Sequence, residues 1–246
     1  MNFYVATLFP EQVSTYLNTS ITGRGIAKGA ISLSCIQMRD YAPNNYGRID
    51  DTIYGGGTGM MIRPEPVYGA FEKAVELCGG KKPHTVYMSP KGKVFDQAKA
   101  HELAEFENLL IVCGHYEGID ARVIDEICDE EISIGDYVLT GGETAAIVVI
   151  DAVARLVPGV LPNEEAYTNE SHTDGMLEAP QYTKPPVWHD MAVPEVLKNG
   201  NDAAIAEYNR IAALVDTWKN RPDMLDKLNI SESDWAKMLA FERGMC

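Results

Sequence analysis

The sequence predicts an α/β protein, strands alternating with helices, that ends in a smaller helical unit. Three observations carry this expectation. Leu109-Leu110-Ile111-Val112-Cys113 is a continuous apolar run of strand length, the pattern of a strand buried on both faces. The chain then opens at Gly114-His115-Tyr116-Glu117-Gly118 into a helical stretch with Ile119, Val123, Ile124 and Ile127 at helical spacing. A second apolar segment, Ile132 to Leu139, follows and breaks at Gly141-Gly142. From about Val193 onward the pattern is helical. Two glycine turns at the carboxyl ends of apolar strands expose backbone N–H and C=O groups at one rim of a sheet, where α/β proteins bind small ligands.

In order, Phe3 to Phe9 reads as the first strand, ended by Pro10. Residues 11–29 read as helix and turn, with Gly23, Gly25 and Gly29 as punctuation, and Ile31 to Met38 as a second strand. Arg39 to Met61 is long and irregular and holds Tyr54-Gly55-Gly56-Gly57-Thr58-Gly59-Met60. That glycine run lacks the Lys-Ser/Thr of a phosphate-binding loop and suits a loop lying close against something. Glu65 to Cys78 is an amphipathic helix burying Val67, Phe71, Ala74, Val75 and Cys78. Thr85 to Ser89 is a strand that turns at Pro90-Lys91-Gly92, and Asp96 N-caps a helix reaching about Glu107. Glu143 to Val157 is apolar nearly all round, which means deep burial or a subunit interface; Pro158-Gly159 ends it. Leu161 to Thr183 is polar and without period, a linker or lid. One helix is expected from Asp202 to Trp218 and another from Ser231, where Ser231-Glu232-Ser233-Asp234 begins like a capping box.

With 246 residues, 46% apolar and 23% charged, the composition is that of an ordinary soluble globular chain. Five scattered cysteines with no C-x-x-C pair favour reduced thiols and a cytoplasmic setting over disulfides or zinc. There is no signal-peptide pattern, and Asp151, Arg155 and Pro158 interrupt the most apolar stretch, so no membrane span is expected. The net charge of −15 argues against a generic nucleic-acid binder. Acidity is spread along the chain: residues 1–160 carry 13 basic and 21 acidic side chains, and 161–246 carry 8 and 15. A polyanionic partner would have to meet local Lys and Arg clusters.

Three loop motifs together resemble one family. They are Asp50-Asp51-x-x-Tyr54-Gly55-Gly56-Gly57-x-Gly59-Met60, Gly114-His115-Tyr116-Glu117-Gly118-Ile119-Asp120-x-Arg122, and Ser133-Ile134-Gly135-Asp136-Tyr137-Val138-Leu139-x-Gly141-Gly142-Glu143. With Arg155-x-x-Pro158-Gly159 and Tyr182-Thr183-x-Pro185 in register, the chain is similar to the bacterial tRNA (guanine-N1)-methyltransferases of the SPOUT superfamily, which act at position 37. The resemblance implies a mostly parallel sheet closed into a deep trefoil knot over residues 1–160, a flexible linker over 161–183, and a small helical tRNA-binding domain over 184–246. It also implies a homodimer with the active site between subunits, a tRNA with guanosine at 36 and 37 as partner, and S-adenosyl-L-methionine as cofactor, with Mg2+ as a further requirement.

By motif position the resemblance assigns the cofactor to Tyr87, Ser89, Pro90, Gly114, Tyr116, Glu117, Gly118, Ile134, Gly135, Asp136, Tyr137, Val138, Leu139, Gly141 and Gly142, with Glu178 near the sulfonium. The residue chemistry agrees: glycines let backbone groups approach an adenine edge, and apolar residues can sandwich the ring. Guanine N1 carries a proton at neutral pH, so methylation there calls for a carboxylate to accept it and a cation beside O6. Arg155 matches the family's arginine, and an ion pair with Asp151 is its structural alternative. Glu170 stands where the family has its basic aspartate, one methylene longer; Asp174 is the rival base, and His172 reads as a solvated linker residue. Ala145 replaces a usual proline, Lys184 a usual arginine, and residues 200–210 lack several of the family's basic side chains. Arg24, Lys28, Arg48, Arg63, Lys184, Arg210 and Arg221 remain as phosphate contacts. Two other readings stay open: a cofactor-binding, RNA-associated protein without catalysis, and a SPOUT methyltransferase with another RNA target.

Overall fold

The computed structural model describes residues 1–44, 46–162, 170–172 and 174–243. In chain order, strand β1 (Asn2–Thr7) leads to helices α1 (Pro10–Leu17) and α2 (Ser20–Ala27) and strand β2 (Ser32–Gln37). A hairpin of β3 (Asp50–Thr52) and β4 (Met60–Ile62) follows, then α3 (Pro64–Leu77), β5 (His84–Val94) and α4 (Gln97–Ala104). Next come β6 (Asn108–Cys113), α5 (Ala121–Ile127), β7 (Glu130–Ser133) and α6 (Glu143–Ala154). Five strands form one sheet in the order β2-β1-β6-β5-β7, and every neighbouring pair is parallel. All their carboxyl ends therefore lie along one rim.

Side chains alternate across the sheet. Leu110 and Val112 of β6 join Tyr4 and Ala6 of β1 in a buried cluster with Val67, Ala70 and Ala74 of α3 and Val123, Ile124 and Ile127 of α5. Leu109, Ile111 and Cys113, equally buried, face the other side, where α6 packs on β1 and β6 and is flanked by α1 and α4. Burial accounts for the all-round apolarity of α6: Val149, Ile150 and Val153 are within 1% of full burial, each worth about 1.5–3 kcal/mol. Its exposed positions are Thr144 and Val148, one turn apart.

Two strands differ from the sequence expectation. The β5–β7 register jumps between Met88 and Lys93, so Ser89–Gly92 loops out and β5 resumes at Lys93 and Val94 instead of ending at Ser89. Conversely, β7 stops at Ser133, and Ile134 to Leu139 is loop, not strand. Gly135 has φ +141°, Ser133 Oγ donates to Gly135 O (3.1 Å), and Tyr137 N–H turns back to the same oxygen (2.9 Å). An apolar run cannot continue as a strand once its donors are spent on a local turn.

The chain divides into two compact units, Met1–Glu164 and Glu165–Cys246. The second holds a small hairpin of β8 (Val187–Trp188) and β9 (Met191–Ala192) and the helices α7 (Asp202–Asn220), α8 (Pro222–Leu225) and α9 (Glu232–Glu242). Its core is Ile211, Leu214, Val215, Leu225 and Met238, with Trp218 and Phe241 packed against it. Side chains cap both long helices: Asn201 accepts from Ala204 N–H (3.2 Å) and Ser231 from Asp234 N–H (3.1 Å). Part of the expected linker belongs to this unit, since Met176 packs on its core and Leu177 N–H donates to Thr217 Oγ1 (2.9 Å). Asn163 to Asn169 and Thr173, also within the expected linker, lie outside the described residues.

Candidate active site

At the rim, Met88 pairs with both Cys113 and Ile132, so the loops leaving β5, β6 and β7 begin level with one another. Backbone bonds tie them together. Gly142 N–H donates to Gly114 O (2.8 Å), and His115 bridges Gly141. The β3–β4 hairpin fastens on from the side: Glu117 N–H donates to Met60 O (3.0 Å), Ile62 N–H to Gly118 O (2.9 Å) and Asp120 N–H to Ile62 O (3.0 Å). The glycine run between β3 and β4 thus lies against the 114–118 loop.

These loops enclose a cavity of about 700 Å³, within the range of small-ligand sites. Tyr87, Ser89, Pro90, Gly114, Tyr116, Glu117, Gly118, Ile134, Gly135, Tyr137, Val138, Leu139, Gly141 and Gly142 all line it. Asp136 does not line it, and Glu178 belongs to the second unit, on a separate shallow pocket with Ser171 and Asp216. Close approach at Gly114 is required, because a Cβ there would lie 2.8 Å from the Tyr87 hydroxyl. Gly118 has φ +112°, a conformation open only to glycine without strain. Burial, with Glu131 beside it, pushes the Tyr87 phenol up to about 12, so it stays protonated and available as a donor.

The charged lining is one-sided. Glu117, Asp120, Asp125 and Glu131 face a single cation, Lys91. Asp120 is held below the usual carboxylate range by Arg122, whose Nη2 donates to it at 2.7 Å, and it caps α5 by accepting from Arg122 N–H (3.0 Å). Among the described residues no group of three or more His, Cys, Asp or Glu is placed to hold a metal ion. None of their helices is long and apolar enough to cross a membrane.

The two expected catalytic residues fall in different units. Arg155 is the C-cap of α6, and Glu170 belongs to the second unit beside Ser171, whose Oγ accepts from Glu178 N–H (3.0 Å). Within the first unit, Arg155 is not among the residues lining the cavity. Among the expected phosphate contacts, Arg48 pairs with Asp51 (3.5 Å) and Arg63 with Glu65 (2.7 Å). Arg210 pairs with Asp234 (2.6 Å) and Arg221 with Asp223 (2.7 Å). Arg24, Lys28 and Lys184 form no ion pair among the described residues. Sequence reasoning missed Ile53, Tyr54, Met61, Lys91 and His115 as cavity residues. The signal for the first three was the glycine run between β3 and β4; the partner of that run is set by the sheet.

Fold and cavity define an α/β protein with a cavity of small-ligand size at the carboxyl ends of a parallel sheet. The family model described as tRNA (Guanine-1)-methyltransferase TrmD matches residues 1–227. Among curated relatives, the tRNA (guanine-N(1)-)-methyltransferase of Lachnospira eligens is 47% identical over 95% of this chain and 99% of its own length. Those of Alkaliphilus oremlandii (47% identical, covering 94% of each chain) and Clostridioides difficile (42%, covering 93% and 99%) carry the same name. The chain belongs to the tRNA (guanine-N1)-methyltransferase family and is an enzyme, a methyltransferase.

Proposed function

We propose that this protein methylates N1 of guanosine 37, beside the anticodon, in tRNAs that carry guanosine at 36, with S-adenosyl-L-methionine as donor, in the cytoplasm. The observation that carries the reading is the cavity between the three strand-end loops. Its glycine-lined wall gives backbone groups close access to a planar base, and its four carboxylates against one lysine suit a ligand bearing positive charge. When bound, S-adenosylmethionine supplies an electrophilic methyl group on a sulfonium. Glu117 and the neighbouring carboxylates hold the cationic end, while Tyr87, Ile134, Tyr137 and Leu139 flank the base and keep water out. Bonding of the 141–142 stretch across Gly114 supports the knotted path that the SPOUT resemblance implies.

Glu170 accepts the N1 proton as the methyl–nitrogen bond forms, and Arg155 holds the negative charge that grows on guanine O6. Both residues reach the cavity in a homodimer whose active site is shared between subunits. The exposed apolar side chains Phe9, Tyr116, Leu139 and Val148 on the first unit are the surface such a partner would cover. Mg2+ enters through the family resemblance, and omitting it from the assay tests that requirement.

The deciding experiment incubates labelled S-adenosylmethionine with a tRNA transcript carrying guanosine at 36 and 37 and maps the modified base. Turnover at N1 of guanosine 37 that disappears in Glu170→Gln and Arg155→Ala supports the assignment. Cofactor binding without turnover favours an RNA-associated binding protein, and a label on another base means another RNA target.

A further inference from the structure

Beneath the two glycine loops lies a buried polar cluster that this chemistry does not use. Glu143, the first residue of α6, is 2% exposed. Its Oε1 accepts from Thr7 Oγ1 (2.8 Å), and Thr7 Oγ1 accepts from Phe9 N–H (2.9 Å). Its Oε2 borders the spot a Cβ on Gly141 would fill, and His115 Nδ1 borders the same spot at 2.5 Å. Any side chain at 141 would wedge the two apart. His115 Nδ1 is the one buried side-chain nitrogen or oxygen without a hydrogen-bond partner among the described residues. Phe9 (ring centroids 5.1 Å apart) and Tyr116 (5.0 Å, edge-on) fix the plane of its ring.

A polar atom shut from water without a partner costs about 1–3 kcal/mol, and the Glu143 carboxylate, which borders the same spot beside Gly141, is a group able to satisfy this one. His115 stands on the 114–118 loop of the cavity wall and Glu143 opens α6 directly after the 134–142 loop, and the Gly142–Gly114 bond already joins the two loops. We propose that Thr7, Glu143 and His115 are positioning residues for methyl transfer. When ligand fills the cavity, the loops draw together until His115 Nδ1–H donates to Glu143 Oε2, and that bond locks the wall around the ligand. No proton changes hands: His115 supplies its Nδ1–H as the donor and Glu143 accepts. The inference rests on the cavity being the S-adenosylmethionine site.

The test uses the full chain with 15N-labelled histidine and S-adenosylhomocysteine as probe. Saturation is expected to move the His115 Nδ1 resonance into the range of a hydrogen-bonded N–H. His115→Asn, whose amide nitrogen takes the place of Nδ1, keeps most of the affinity. His115→Phe and His115→Gln lose about ten- to a hundredfold, the value of one bond to a charged group, with the donor KM raised and the tRNA KM unchanged. Because the bond is absent without ligand, His115→Phe leaves the melting temperature of the free protein unchanged or higher. Unmoved His115 resonances at saturation, or equal affinities for the Asn and Phe variants, overturn the proposal while leaving the cavity assignment standing. A wild-type chain that binds no S-adenosyl ligand overturns both.

Discussion

Gly114 and Tyr87 show how little room the cavity wall leaves. A methyl at 114 would meet the Tyr87 hydroxyl at 2.8 Å, but the ring atoms behind it no closer than 3.2 Å. Gly114→Ala is therefore expected to cost about 1–3 kcal/mol by overpacking and to weaken S-adenosylhomocysteine binding. Tyr87→Phe in the same chain should restore most of both, because removing the hydroxyl removes the clash. Calorimetric titration and thermal melts of the two single variants and the double variant check the coupling. At this scale the sequence was informative about the wall, since glycine beside an apolar strand already meant close backbone approach. It was silent on Tyr87 as the neighbour at 114, and on the unpartnered nitrogen of His115, because both depend on which strands lie side by side.

The elements of the second unit are held by charge as well as by packing. Arg210 and Lys237 pull the Glu207 carboxyl from 4.5 down to about 2, and Arg210, with the Ser231 hydroxyl, pulls Asp234 from 3.8 to about 2. With folded values below unfolded ones, the unfolded chain takes up protons first as the medium acidifies. The stability these pairs contribute is present above about pH 4.5 and drains away as pH falls toward 2. An acid titration of the full chain, followed by tryptophan fluorescence of Trp218 and Trp235, should show α7 and α9 loosening in that window, and Arg210→Ala should remove most of the effect. The same pairing changes the expected part of Arg210 in RNA binding. Helix α7 itself was legible from its period and cap. That its arginine would be turned inward onto α9 was not, because an ion pair 24 residues apart leaves no periodic trace. Likewise the ends of β5 and β7 were misplaced because a register jump and a local turn, both products of neighbouring strands, override apolar runs.

The whole molecule carries a charge of −15, and four of the seven cations expected to meet phosphate are already engaged with carboxylates. tRNA affinity should therefore rest on few phosphate contacts and fall only gently with salt. Lys28→Ala and Lys184→Ala are each expected to flatten the salt slope by about one unit, whereas Arg210→Ala should leave it unchanged and lower the melting temperature. Filter binding at a series of KCl concentrations separates these outcomes. The α/β class and the helical end were readable from the chain because they rest on local period. That Arg155 and Glu170 fall in different compact units was not, since no local period marks the boundary between them.

The loop glycines bear on how this enzyme could be inhibited. Much of what a compound seated in the cavity would touch at 114, 118, 141 and 142 is peptide group rather than side chain. Substitutions at 114 and 141 collide with the protein's own atoms before they reach a drug. A molecule that reads only those amides and carbonyls leaves few single-codon routes to resistance that do not also disable the enzyme itself.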